Sequence, residues 1–144
     1  MNVLMVVDEL ADVDALKALK PYFDPVEDLQ LTVLYITDDK SCIQLGTDEH
    51  PHFVLPDAEL IYRDEIEDRV LRTFRPWHER VHFRHEIGGD DVEILRRVIR
   101  EASIDLIALN PRQHTDDAYN GLPLRKIVLR GDEQPVSIAD AVRT

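Results

Sequence analysis

The sequence predicts an α/β domain built on an open, mostly parallel five-stranded sheet with helices on both faces. Two observations carry that prediction. Short apolar or alternating segments take turns with longer segments whose apolar residues recur at helical spacing. That alternation implies βαβ units with right-handed crossovers. The length of 144 residues suits one domain with one substantial core, taken here as 1–144.

The elements follow in order. Val3, Leu4, Met5, Val6 and Val7 form a first strand apolar on both faces, with Asp8 at its carboxyl end. A helix fits 12–22, with Val13, Leu16 and Leu19 on one side and Pro21 and Pro25 at its end. A second strand fits 29–36, where Leu31, Val33 and Tyr35 alternate with Gln30, Thr32 and Leu34. The stretch 37–57 shows no clear period and reads as a long loop. Tyr62, Ile66, Val70 and Phe74 recur every four residues and predict a helix over 58–75, stopped by Pro76. Alternation predicts a third strand over 81–87, with Gly88 and Gly89 turning the chain. A helix over 91–102 carries the stripe Val92, Leu95, Val98 and Ile99, and Asp90 and Asp91 complement its dipole. A fourth strand fits 104–109, apolar apart from Asp105. After a polar stretch over 110–120, a short helix is expected over 122–129 and a fifth strand over 135–139. In such sheets ligands bind outside the carboxyl ends of the strands, near a switch in strand order. Asp8, Ile36 and the loop at Asn110 are thereby placed around one pocket.

Composition narrows the function. Hydrophobic residues make up 44% and charged residues 32%, values of an ordinary soluble globular protein. The apolar runs fall short of the ~18 residues that span a bilayer. The formal net charge of −12 repels nucleic-acid phosphates and anionic membranes, so neither partner is expected. The same acidity fits salt adaptation or plain solubility. The single cysteine, Cys42, forms no internal disulfide and fits a reducing cytoplasm.

Several segments together resemble the universal stress protein family. They are Asn2 to Asp8, Gly89-Asp-Asp-Val-Glu-Ile-Leu95, the run Ile104-Asp-Leu-Ile-Ala-Leu109, and Pro135-Val-Ser-Ile-Ala139, in the right order across nearly the whole chain. The resemblance implies the adenine-nucleotide-alpha-hydrolase-like fold of that family. It also implies a homodimer through the last strand, with Val136 and Ile138 at the interface. ATP-binding members carry Gly-x2-Gly-x9-Gly-[Ser/Thr] after the fourth strand, so that backbone amides reach the phosphates. Here those positions hold Asn110, Gln113, Pro123 and Leu124. Proline lacks the amide donor and leucine the hydroxyl. Asp116 and Asp117 add negative charge beside the loop. Asp8 matches the family's nucleoside-contacting aspartate, and Ile36 the position that offers its backbone to adenine. Asp8, Ile36, Asn110, Arg112 and Gln113 are therefore the candidate residues of an altered nucleotide pocket. Asp8 reads equally as a helix cap, Ile36 as core, and Arg112 and His114 as surface residues.

The string His78-Glu-Arg-Val-His82 matches the H-E-x-x-H zinc motif, which works only on a helix. Pro76 lies just upstream, and strand residues four apart stand ~13 Å from each other, so no metal site is assigned. His50 and His52 read as solvated loop residues, and Trp77 as cover for the bottom of the sheet. Gly-x-Ser-x-Gly and Gly-x-Gly-x-x-Gly strings are both lacking. The expectation is a non-enzymatic domain with no cofactor, acting through dimerisation and a protein or small-ligand partner. The alternatives are a nucleotide binder, for ATP or AMP, with a non-standard loop, and a metal-binding protein using His78 and His82.

Overall fold

The computed structural model describes residues 1–47 and 49–129. Its strands are β1 (Asn2–Val7), β2 (Gln30–Thr37), β3 (Ile43–Gly46), β4 (Pro51–Val54), β5 (Val81–Ile87), β6 (Leu106–Leu109) and β7 (Arg125–Val128). Its α-helices are α1 (Leu10–Leu16), α2 (Asp57–Thr73), α3 (Asp91–Glu101), α4 (Pro111–His114) and α5 (Asp117–Asn120). The main sheet runs β5-β2-β1-β6-β7, and every pairing in it is parallel.

The first strand lies at the centre, which is why it is apolar on both faces. Val3, Met5 and Val7 join the first buried cluster, with Val13 and Leu16 of α1 and Ile66 and Val70 of α2. Leu4 and Val6 point the other way, onto Ile94, Leu95 and Val98 of α3. One alternating strand thus fixes both helical layers. The polar exception in the fourth predicted strand, Asp105, has a structural role. Its carboxylate accepts from the Asn2 amide at 2.8 Å while its own amide donates to the Asn2 carbonyl at 2.8 Å. That clip sets the register in which Val3 pairs with Leu106.

Three expectations change. The helix predicted over 12–22 is α only to Leu16 and continues as a 3-10 helix over Lys17–Tyr22, which contains Pro21. The stretch read as a loop over 37–57 folds into a hairpin, with Ile43 opposite Val54 and Leu45 opposite His52. Gly46 makes its turn at φ +88, where a side chain would also meet the His50 carbonyl oxygen at 2.5 Å. The segment 122–129 contains a strand, not a helix. A short apolar run does not distinguish the two by period, and β6 needs a parallel neighbour on its open side. The strand expected over 135–139, with Val136 and Ile138, lies outside the described residues.

The other elements fall where the pattern puts them. Pro76 lies in a 3-10 helix over Arg75–Arg80 just beyond α2. There Trp77 packs on Phe23 at 5.2 Å between ring centroids and donates to Asp24 at 3.0 Å. Among the described residues no helix is long and apolar enough to cross a membrane.

Candidate functional site

The strand order reverses at β1, whose neighbours are β2 on one side and β6 on the other. The crevice outside its carboxyl end is where an open α/β sheet holds a ligand. A cleft of about 150 Å³ lies there, lined by Asp8, Arg112 and Gln113 together with Asp91, Leu95, Asp116, Ala118 and Tyr119. Of the residues expected from sequence, Asp8, Arg112 and Gln113 therefore come together. Asn110 is buried beside them, and Ile36 lies apart, half-buried in β2 against the second cluster.

Beneath the cleft lies a residue that sequence reading missed. Asp12 of α1 is only 6% exposed, and its carboxylate is fully engaged. One oxygen accepts from the Asn110 side-chain amide at 2.6 Å. The other accepts from the backbone amides of Asp8 at 2.8 Å and Glu9 at 3.1 Å. Arg112 reaches that same oxygen at 3.3 Å and Asp8 at 3.1 Å. Two amides at the mouth of β1, a carboxamide and a guanidinium thus converge on an anion that the chain itself supplies. Its signal in sequence was an aspartate on the apolar stripe of a helix, four residues before Leu16.

The loop after β6 is closed in the same way. Asn110 and Gln113 form a reciprocal capping box. The Gln113 amide donates to the Asn110 side chain at 2.8 Å, and the Asn110 amide donates to the Gln113 side chain at 3.1 Å. Gln113 also donates to the Val6 carbonyl at 2.8 Å, tying the loop to the central strand. Of the residues 110–124, Pro111 and Pro123 have no N–H, and eleven of the other thirteen amides donate to acceptors within the same stretch. Gly121 follows α5 with its amide committed to the Asp117 carbonyl at 3.1 Å.

The electrostatics of the cleft follow from its carboxylates. Burial raises the pKa of Asp8, and Asp12 and Asp91 add to the rise while Arg112 opposes it. Burial likewise raises Asp91, helped by Asp38, Asp116 and Asp90. Tyr119, 7% exposed, is pushed up by burial and then by Asp8, Asp91 and Asp116, so its phenol stays protonated.

The remaining candidates lie elsewhere. His78 sits on the 3-10 turn beside the Arg75 carbonyl at 3.3 Å, and His82 on β5 bonds Gln30 at 3.1 Å. Among the described residues no group of three or more His, Cys, Asp or Glu is placed to hold a metal ion. His114 is exposed, and burial raises the Cys42 thiol, with Asp39, Glu59 and Asp38 adding to it.

No protein-family profile and no curated protein sequence matches the chain. Solved structures do. A universal stress protein from Archaeoglobus fulgidus in complex with dAMP superposes with a TM-score of 0.59 at 12% identity, over 90% of this chain and 98% of that one. A universal stress protein in complex with cAMP gives 0.55 at 12% identity, over 92% and 98%. A member of the family from Burkholderia pseudomallei gives 0.52 at 17% identity, over 88% and 93%. The sheet order, the crossovers and these superpositions agree: the chain has the universal stress protein fold.

Proposed function

We propose that this chain is a non-enzymatic, cytoplasmic regulatory domain of the universal stress type, working as a homodimer and without standard ATP binding. The observation that supports this is the commitment of the 110–124 amides to acceptors of their own loop. A triphosphate needs several convergent free N–H groups. It would also meet Asp8, Asp91 and Asp116 at the cleft. The test is a thermal shift of the full chain with ATP, AMP and cAMP. A ligand at ~100 times its Kd stabilises by ~2.7 kcal/mol. Unchanged melting with millimolar ATP is expected, and a saturable rise would end the reading.

The two neighbours bound to dAMP and cAMP favour a second reading, a site for a nucleoside monophosphate. In that case AMP or cAMP shifts the melt while ATP does not.

The dimer rests on the edge-strand argument. The apolar residues Val136 and Ile138 fall in a segment whose family counterpart pairs between subunits, and an apolar edge left open invites pairing. Val136→Lys is expected to weaken self-association in sedimentation, and an unchanged dimer would reject that interface.

A further inference from the structure

We infer that one face of the β3–β4 hairpin is a self-association surface, on which the same face of a second copy of this chain packs. The claim does not rest on the pairing proposed for the last strand. Six of the seven large hydrophobic residues that stand exposed among the described residues fall between 43 and 61: Ile43, Leu45, Phe53, Val54, Leu60 and Ile61. Soluble monomers rarely gather apolar side chains on the outside in this way, and such a surface marks a contact with a partner.

The register sorts the hairpin's side chains. Ile43 stands opposite Val54 and Leu45 opposite His52, so these four share one face, while Gln44 and Phe53 share the other. Every residue of β3 and β4 is exposed, and neither buried cluster includes any of them. Among the described residues β3 and β4 pair only with each other. A two-stranded hairpin left alone is marginal in water, and a cover over its apolar face stabilises it. Edges that must stay single carry lysine, proline or inward charge, and Ile43-Gln-Leu-Gly46 carries none of these.

Charge selects a second copy as the cover. Neither 41–47 nor 50–56 contains an Asp, Glu, Lys or Arg, whereas those residues make up 32% of the chain. Two copies with a net charge of −12 each repel one another over most of their surfaces. The repulsion is smallest at the neutral hairpin, because exposed charges more than ~8 Å away are largely screened at physiological salt. A strongly charged partner would find no counter-charge on this face. A two-fold axis sets Ile43, Leu45 and Val54 of one copy against the same residues of the other, a self-complementary contact that needs no opposite charge.

The experiment is sedimentation equilibrium of the full chain at physiological ionic strength. Leu45→Asp places a carboxylate against its own copy across the axis, and should weaken association at least about tenfold. Phe53→Ser, on the opposite face, should leave the association constant unchanged. Melting curves establish that both variants fold. Hydrogen exchange of the parent gives a readout free of mutation: the hairpin amides should exchange more slowly as protein concentration rises. An association constant unchanged in Leu45→Asp, an equal loss in both variants, or hairpin exchange independent of concentration would each overturn the inference. So would flotation of the parent with phosphatidylcholine vesicles that Leu45→Asp abolishes, which would assign the face to lipid. Val136→Lys in the same assay separates the two surfaces. Loss in Val136→Lys alone defeats the hairpin contact and leaves the last-strand dimer standing, and loss in Leu45→Asp alone does the reverse.

Discussion

The carboxamide of Asn110 donates to Asp12 at 2.6 Å, joining residues 98 positions apart across the mouth of the central strand. Asn110 opens the loop after β6 and Asp12 lies in the first turns of α1, so this bond locks the two elements that flank the cleft. The same carboxylate holds the amides of Asp8 and Glu9. Asp12→Ala would leave those part-buried donors and the buried Asn110 carboxamide without their acceptor. A loss of about 2–4 kcal/mol is expected, measured by urea denaturation. The variant also vacates an anion position, so inorganic phosphate should raise its melting temperature and leave the parent unmoved. A loss below about 0.5 kcal/mol would show that the network adds little.

His85 predicts a pH dependence. Its imidazole stacks on Tyr35 at 5.3 Å and bonds the Thr37 hydroxyl at 2.8 Å. Burial, then Arg63, lowers its pKa below 6.5, against a small opposing pull from Glu86. A depressed folded-state pKa means that the neutral ring's contribution is intact above the unfolded value of about 6.5 and is lost as pH falls through the folded value. The parent should therefore lose more stability on acidification through that window than His85→Phe, which keeps the stack. Parallel pH profiles would count against the assignment, as would a histidine resonance titrating with a midpoint at or above 6.5.

Ser103 follows α3 at φ 52, in the left-handed region, while the Ile104 amide bonds back to the Ile99 carbonyl at 3.0 Å. Glycine adopts that conformation without the Cβ penalty. Ser103→Gly should stabilise by about 0.5–1 kcal/mol in denaturant titration. The bond from Asn2 to the Ser103 carbonyl at 3.0 Å is to the backbone and survives the change.

Two phenylalanines should respond very differently to truncation. Phe74 is fully buried against Phe23, with ring centroids 5.3 Å apart. Phe53 lies on the β3–β4 hairpin, 42% exposed and outside both buried clusters. Phe74→Ala should cost about 3–5 kcal/mol, and Phe53→Ser within about 0.5 kcal/mol. Comparable losses at both positions would mean that the hairpin packs on the body of the protein.

Much of this fold was legible because its central elements carry clean periods. The first strand is apolar on both faces since both bury it, and Val81 to Ile87 alternates since Val81 and Phe83 join the cluster of α2 while Arg84 and Glu86 pair with Glu101 and Arg97 of α3. The strand at 125–128 was hidden, because Leu124 and Ile127 lie three apart and satisfy a helical period as well as a strand one. The site was half legible. Asp8 was named from its place at a strand end, Gln113 from the resemblance of its loop to a phosphate-binding motif, and Arg112 from its place in that loop at the rim of the pocket. The hold of Asp12 on Asn110 is a long-range relation that local pattern does not encode, and Tyr119 looked like one aromatic in a polar stretch.

The β5 strand closes the sheet on one side, and its charges are tied down. Arg84 pairs with Glu86 at 2.8 Å and with Glu101, and Arg97 holds Glu86 at 2.7 Å. For a foreign chain to extend the sheet there, it would have to dock beside a knot of ions and strip water from it. The margin at β5 is thereby guarded against fibril-like stacking, so crowded solutions of this protein should stay clear along that flank.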